Sequence, residues 1–256
     1  MDVVFTDLDG TLLDSHDYSY EGSMEAVRSL QSKNIPIVFC SSKTRAEQEF
    51  YRTKMDIHDP FIIEDGSAIM IPKRYFPSID SSQYEQKDDY DVVVLGAGYG
   101  PVSRVTLLLE IRCDAKAFGK LPSSEVARLS GLRPDLAALA KKREYSETLS
   151  IEKSRLDRAF EIVDRHGLTM TYGGRFHTIK GKTDKGTAAK RLVDLFSREF
   201  GDIRSIGIGN SQNDIPLLEV VDAPFLIGKD DGHIDSGNHR FESADSFTEV
   251  VSEILA

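Results

Sequence analysis

Three short apolar, β-branched runs stand out along the chain: Val3 to Phe5, Ile35 to Phe39 and Ile203 to Ile208. None alternates with polar residues as a strand with one wet face does, so each reads as a parallel strand covered on both sides. Between them, Tyr20 to Lys33, Arg45 to Met55 and Lys185 to Phe200 place apolar residues at helical spacing. Strand and helix thus alternate as in a doubly wound, Rossmann-like α/β sheet.

The rhythm breaks in the middle of the chain. The polar stretch SIDSSQYEQKDDYD, 78–91, is followed by the strand DVVVLG and by helical patterns at 101–117, 134–144 and Ser154 to His166. LTMTYGG and RFHTIKG, spanning 168–181, flank Gly173 and Gly174 and read as a hairpin. The expected organisation is a catalytic core made of residues 1–81 and 183–256, with an inserted α+β cap of residues 82–182. A length of 256 residues accommodates both parts. A cap of this kind serves as a lid over an active site.

Composition removes several function classes. The 40% hydrophobic and 29% charged content is that of an ordinary soluble globular protein. A net charge of −10 repels phosphate backbones and anionic lipid, so neither nucleic acid nor membrane is an expected partner. An anionic substrate must therefore meet a local positive site. Cys40 and Cys113 have no metal-ligand spacing and are too few for a disulfide framework, so they read as buried thiols in a reducing compartment. The chain starts MDVVFTDLDG, with acids where a signal peptide carries basic residues, and a cytoplasmic location is expected.

The chemistry starts in FTDLDGTLLD, residues 5–14. Ligands of open parallel sheets gather beyond the carboxyl ends of the strands, where Asp7 and Asp9 fall. An isolated Asp-x-Asp there is more often a turn or a helix cap than a site, so the rest of the chain decides. Two clustered carboxylates stay ionised together only beside a cation, and oxygen donors of this sort suit Mg²⁺. A carboxylate next to a metal-held phosphate can attack phosphorus; a second can protonate the leaving oxygen and then activate water. Such chemistry also needs a phosphate grip, a lysine and another acid in the metal shell. CSSKT, 40–44, offers Ser41 and Ser42 at a helix start; TDKGTAAKRL, 183–192, puts Lys185 in a first helical turn; SIGIGNSQNDIPLL, 205–218, delivers Asp214 after a strand.

In this order DLDGT, CSSKT, TDKG and GNSQND resemble the four motifs of the haloacid dehalogenase superfamily of phosphatases. An insertion between the second and third motifs resembles the type II cap of its sugar-phosphatase branch. The resemblance implies Asp7 as nucleophile, Asp9 as acid and base, Ser41 on the phosphate and Lys185 neutralising charge. It also implies Mg²⁺ held by Asp7, Asp214 and the Asp9 main-chain carbonyl, and a substrate-binding set that includes Ser42 and Asn213. The family's fourth motif is usually GDxxND, whereas Asn210 stands here. The metal shell thereby loses a negative charge, although an amide oxygen still coordinates Mg²⁺ or orients its water.

A narrower likeness runs over nearly the whole chain. SKTRAE (42–47), PFIIEDGSAI (60–69), REYSE (143–147) and GGRFHTIKG (173–181) resemble the mannosyl-3-phosphoglycerate phosphatases. It implies hydrolysis of a small phosphorylated glycoside, mannosyl-3-phosphoglycerate, to phosphate and mannosylglycerate, a compatible solute. Glucosyl-3-phosphoglycerate, with one hydroxyl inverted, stays open as the substrate. So do a phosphomutase reaction through the same intermediate and a phosphosugar-binding protein whose catalysis Asn210 impairs. For a glycerate carboxylate and a sugar the cap should offer guanidinium and short polar groups, which Arg143, Ser146, Arg175 and His177 supply. Lys43 is expected on the phosphate or the carboxylate. Glu64 and Asp65 are expected either on sugar hydroxyls or as an acidic turn. His16, His58, His166, His233 and His239 show no ligand spacing, and oligomeric state leaves no signal.

Overall fold

The computed structural model describes residues 1–172, 176–228 and 241–256. Its central sheet is parallel, with strands β1 (Asp2–Thr6), β2 (Ile37–Phe39), β11 (Arg204–Gly209), β12 (Ala223–Ile227) and β13 (Glu242–Ala244) in the order β13-β12-β11-β1-β2. Successive side chains of a strand point to opposite faces, so β1 packs two layers at once. Val3 and Phe5 meet Leu192, Leu195 and Phe196 of α7 (Lys185–Phe200), while Val4 joins Val27 and Leu30 of α1 (Met24–Ser32) and Val250 and Val251 of α9 (Phe247–Ile254). Each fully buried side chain of this size contributes roughly 1.5–3 kcal/mol. Covered faces explain why these strands read as unbroken apolar runs.

The helices that follow the motifs have local reasons to start where they do. In α2 (Arg45–Met55) the Thr44 hydroxyl accepts from the Glu47 amide while the Glu47 carboxylate accepts from the Thr44 amide. Such a reciprocal cap fixes the first turn directly after CSSK. Asp184 caps α7 by accepting from Thr187 N at 2.7 Å. A bridge between Cys40 and Ile62 places β3 (Phe61–Ile63) beside β2.

β3 also belongs to an antiparallel sheet with β4 (Ala68–Pro72), β5 (Glu85–Lys87) and β6 (Tyr90–Val94), in the order β3-β4-β6-β5. Residues 85–94 therefore pair with strands of the N-terminal segment, whereas the sequence pattern assigned them to an insertion starting at 82. β5 is an edge strand whose side chains are largely exposed, so it carries no apolar signature.

The second α+β unit is built from α3 (Tyr99–Cys113), β7 (Lys116–Ala117), α4 (Ser123–Ser130), α5 (Pro134–Ala140), β8 (Ser146–Ser150), α6 (Leu156–Arg165), β9 (Leu168–Tyr172) and β10 (His177–Gly181). Its sheet runs β7-β8-β10-β9. β9 and β10 pair antiparallel as expected of the hairpin strands; Gly173, Gly174 and Arg175 lie outside the described residues. The helix expected over 101–117 stops at Cys113, because Asp114 turns left-handed (φ 49°) and Lys116 and Ala117 pair with β8. α3 and α6 cover one face of this sheet through Val102, Val105, Leu109, Ala159 and Val163.

Two connections join this unit to the core, at 95–98 and 181–184, and both rest on the turn 64–67. Leu95 N and Gly96 N donate to Ser67 O, and Thr183 Oγ1 donates to Gly66 O. The two connections cross in backbone contact: a Cβ on Gly181 would sit 2.2 Å from Ala97 N. Only glycine fits at that crossing.

Candidate active site

Asp7 directly follows β1, Lys185 opens α7 and Asp214 follows β11, so three separate elements converge at the carboxyl edge of the sheet. Lys185 Nζ lies 2.6 Å from Asp7 Oδ1 and 2.6 Å from Asp214 Oδ1, with all three side chains buried. Asp214 is held rigidly, its Oδ2 accepting from Asn210 N, Ser211 N and the Ser211 hydroxyl at 2.8–3.0 Å. Burial pushes the Asp7 carboxyl up to about 7; Lys185 opposes the shift, and Asp214 and Asp9 add to it. Burial pulls the Lys185 ammonium down, but Asp214 and Asp7 outweigh it and hold the proton firmly. One ammonium thus faces a surplus of negative charge in a site shielded from water.

Asp9 lies nearer the surface. Its carboxylate contacts Lys43 Nζ at 2.9 Å, and that ammonium also reaches Glu47 at 3.6 Å and sits over the Tyr18 ring at 5.0 Å. Ser41 is buried, its hydroxyl accepting from Lys43 N at 3.4 Å. Asn210 Nδ2 donates to the Asp9 carbonyl at 3.0 Å, and Asn213 Nδ2 donates to Asp65 at 3.0 Å. All four family-like motifs therefore meet at one edge.

Glu64 and Asp65 adopt left-handed backbone (φ 50° and 57°), a strained state for residues other than glycine. The Glu64 carboxylate is fully buried and accepts from Glu144 N, Tyr145 N and the Ser146 hydroxyl. Burial raises its pKa, against the opposing pull of Arg143 and these hydrogen bonds. Glu64 and Ser146 are thus engaged with one another, and the contact aims Arg143, whose Nη1 donates to Ser146 Oγ at 2.8 Å and to Ser42 O at 3.3 Å. Asp65 does line the open cleft, where a sugar-binding residue would be expected.

That cleft, of about 170 Å³, separates the carboxylates from the second unit and includes Asp9, Ser42, Lys43, Asp65, Arg143 and Asn213. His177 does not belong to it. It stands opposite Leu149 on the face covered by helices, against the rings of Phe160 and Tyr172, and burial lowers its pKa. Its neighbour Thr178 takes the cleft face instead. Arg175 lies outside the described residues. The sequence reading passed over Lys180, which is buried and donates to Asp65 O at 2.7 Å and Thr183 O at 2.8 Å, locking the connection to the turn. Strand alternation puts Lys180 on the same face as Thr178, and a lysine buried there is rarely left without partners.

Asp7, Asp214, the Asp9 carbonyl and Asn210 suit a magnesium ion by their chemistry. Two buried carboxylates share a single ammonium, and burial, helped by Asp214 and Asp9, raises Asp7 to about 7 although Lys185 opposes it. Among the described residues no three His, Cys, Asp or Glu side chains form a ready cage. Mg²⁺ characteristically binds one or two carboxylates and keeps waters elsewhere, which this donor set permits.

Residues 4–90 match the family described as haloacid dehalogenase-like hydrolase. The chain is 39% identical to a glucosyl-3-phosphoglycerate/mannosyl-3-phosphoglycerate phosphatase of Methanococcoides burtonii, over 91% of this chain and 87% of that one. It is 38% identical to a mannosyl-3-phosphoglycerate phosphatase of Pyrococcus furiosus, over 98% and 99% of the two. The fold is shared with the sucrose-phosphatase of Synechocystis sp. PCC6803, solved with sucrose and phosphate: the TM-score is 0.63 at 13% identity, covering 99% of this chain and 96% of that one.

Proposed function

The chain belongs to the haloacid dehalogenase-like hydrolases, among their phosphomonoesterases, and we propose from that premise that it releases phosphate from mannosyl-3-phosphoglycerate by way of an aspartyl-phosphate. The observation that carries the mechanism is Lys185 bridging Asp7 and Asp214, with Asp9 and Lys43 paired at the cleft. An Asp7 oxygen attacks phosphorus, and the bond from phosphorus to the glycerate oxygen breaks. Asp9 gives its proton to that oxygen. Asp9 then takes a proton from the water that attacks the phosphoryl group, and the bond to Asp7 breaks, releasing phosphate. Lys185 favours the ionised form of Asp7 and offsets charge on the phosphoryl oxygens. Mg²⁺, held by Asp7, Asp214, the Asp9 carbonyl and Asn210, would neutralise the same oxygens when bound. The positive charge that an overall anionic protein must provide is local: Lys43, Lys185 and Arg143.

Glucosyl-3-phosphoglycerate is the second reading, because the M. burtonii relative is named for both substrates. Phosphate release from purified protein, with and without Mg²⁺, across both glycosyl-phosphoglycerates and simple sugar phosphates tests the proposal. No release from either glycoside would overturn it, and phosphoryl transfer without net release would indicate a mutase.

Two variants probe particular contacts. Asn210→Asp sets a carboxylate against the Asp9 carbonyl, where Asn210 now donates, and only a cation reconciles the two oxygens. Mg²⁺ titrations should show half-activation at lower concentration, and melting in EDTA should occur at lower temperature than for the parent. An unchanged titration would uncouple position 210 from the ion. Arg143→Ala removes a guanidinium from the cleft, and charge-assisted hydrogen bonds of this type are worth roughly 1.5–3 kcal/mol. We expect kcat/KM for mannosyl-3-phosphoglycerate to fall about tenfold or more, with little change for p-nitrophenyl phosphate. Equal losses on both would place Arg143 in folding or general catalysis.

A further inference from the structure

Three threonines stand in one row across the second unit's sheet. Thr178 on β10 is in register with Thr148 on β8 and with Thr171 on β9, so their side chains share one level of one face. All three line the cleft that holds Asp9 and Lys43. The opposite face, with Leu149, Met170 and Ile179, is the one packed by α3 and α6.

Thr148 carries the second observation. It is only 6% exposed, and its Oγ1 is buried without a hydrogen-bond partner. A hydroxyl shut away from water and left unpaired is unfavourable, whereas valine would fill the same space without that penalty. The position therefore makes physical sense when something entering the cleft completes the bond.

The surroundings indicate which chemistry does so. The cationic groups of the cleft, Lys43 and Arg143, lie toward the core, where Arg143 touches Ser42 and Lys43 touches Asp9. Beside the threonine row the cleft is lined by the packed rings of Phe118 and Phe176. Hydroxyls that both donate and accept, next to aromatic faces and away from the cations, suit a neutral polyhydroxylated ring better than a carboxylate or a phosphate. We propose that the row Thr148, Thr178 and Thr171 receives the sugar of the substrate, with the Thr148 hydroxyl a specificity-determining contact. The assignment rests on the glycoside reading above and divides the cleft into an anion end on the core and a sugar end on the cap.

Thr148→Val keeps shape and removes the hydroxyl, while Thr148→Ser keeps the hydroxyl. Each is to be assayed on mannosyl-3-phosphoglycerate and on 3-phosphoglycerate, which has the same phosphate and carboxylate but no sugar. The valine variant should lose roughly three- to tenfold in kcat/KM on the glycoside, mostly through KM, as expected for one neutral hydrogen bond. Its activity on 3-phosphoglycerate should stay within twofold, and the serine variant should recover most of the loss. Equal loss on both substrates, or none on the glycoside, would overturn the assignment. Should the unmodified protein hydrolyse neither glycosyl-phosphoglycerate, the glycoside reading fails separately. The same variants are then compared on the hexose phosphate that it hydrolyses best and on p-nitrophenyl phosphate, under the same criterion.

Discussion

Asp7→Asn is expected to lower phosphate release by several orders of magnitude while the protein stays folded. Asparagine keeps the size of the side chain and can still accept from Lys185, but it has no carboxylate to attack phosphorus. The same change has a second signature in stability. Asp7 titrates at about 7 in the fold against 3.8 for an ordinary aspartate, so the folded state holds its proton more tightly than the unfolded chain. The stability linked to that proton is fully present below about pH 4 and is lost as pH rises through about 7. Asparagine removes the linkage. Melting curves in metal-free buffer at pH 5 and pH 8 should therefore differ less for the variant than for the parent. Turnover within tenfold of the parent would remove Asp7 from the nucleophilic role.

Lys185→Met should have the largest effect on stability. Methionine fills much of the same volume but leaves Asp7 and Asp214 facing each other in a buried site with no cation between them. Breaking one partner out of a buried charge cluster typically costs about 3–5 kcal/mol. Because Lys185 is the group that pulls the Asp7 pKa down, its loss moves that pKa further up. The sign follows: the deficit should be smaller at pH 5, where Asp7 is protonated, and larger at pH 8, where it must ionise. Denaturant titrations of parent and variant at the two pH values, without metal, measure the difference. A deficit that ignores pH would mean that the carboxylates do not depend on Lys185 for their charge state.

The edge where the motifs meet was legible because strand ends in a parallel sheet dictate where side chains can gather. Asp7, Ser41 and Asp214 follow short apolar runs, and Lys185 follows a capping aspartate, so local pattern and position agreed. Partners formed across the two units were not legible. Glu64 looked free to meet a sugar, yet its carboxylate is taken by the amides of Glu144 and Tyr145, 80 and 81 residues away. The alternation in His177-Thr178-Ile179-Lys180 was readable, but which side meets the cleft depends on which side α3 and α6 cover. That is decided by packing, and it exchanges Thr178 for His177. The hairpin of β5 and β6 escaped for another reason: a solvated edge strand follows no apolar rule that would separate it from a linker.

The backbone crossing at Gly181 limits how the two units can move. Two tethers that touch with no side chain between them cannot slide past each other, but they can twist about their point of contact. A rotation of the second unit would have its pivot at Gly96, Ala97 and Gly181, close to the turn that Lys180 and Thr183 hold. Such a rotation would change the width of the cleft and the contact of Arg143 with the Ser42 carbonyl together, as one coordinate. A methyl group at residue 181 would wedge the tethers apart, displacing that pivot and detuning both quantities at once, although no reacting group had been touched.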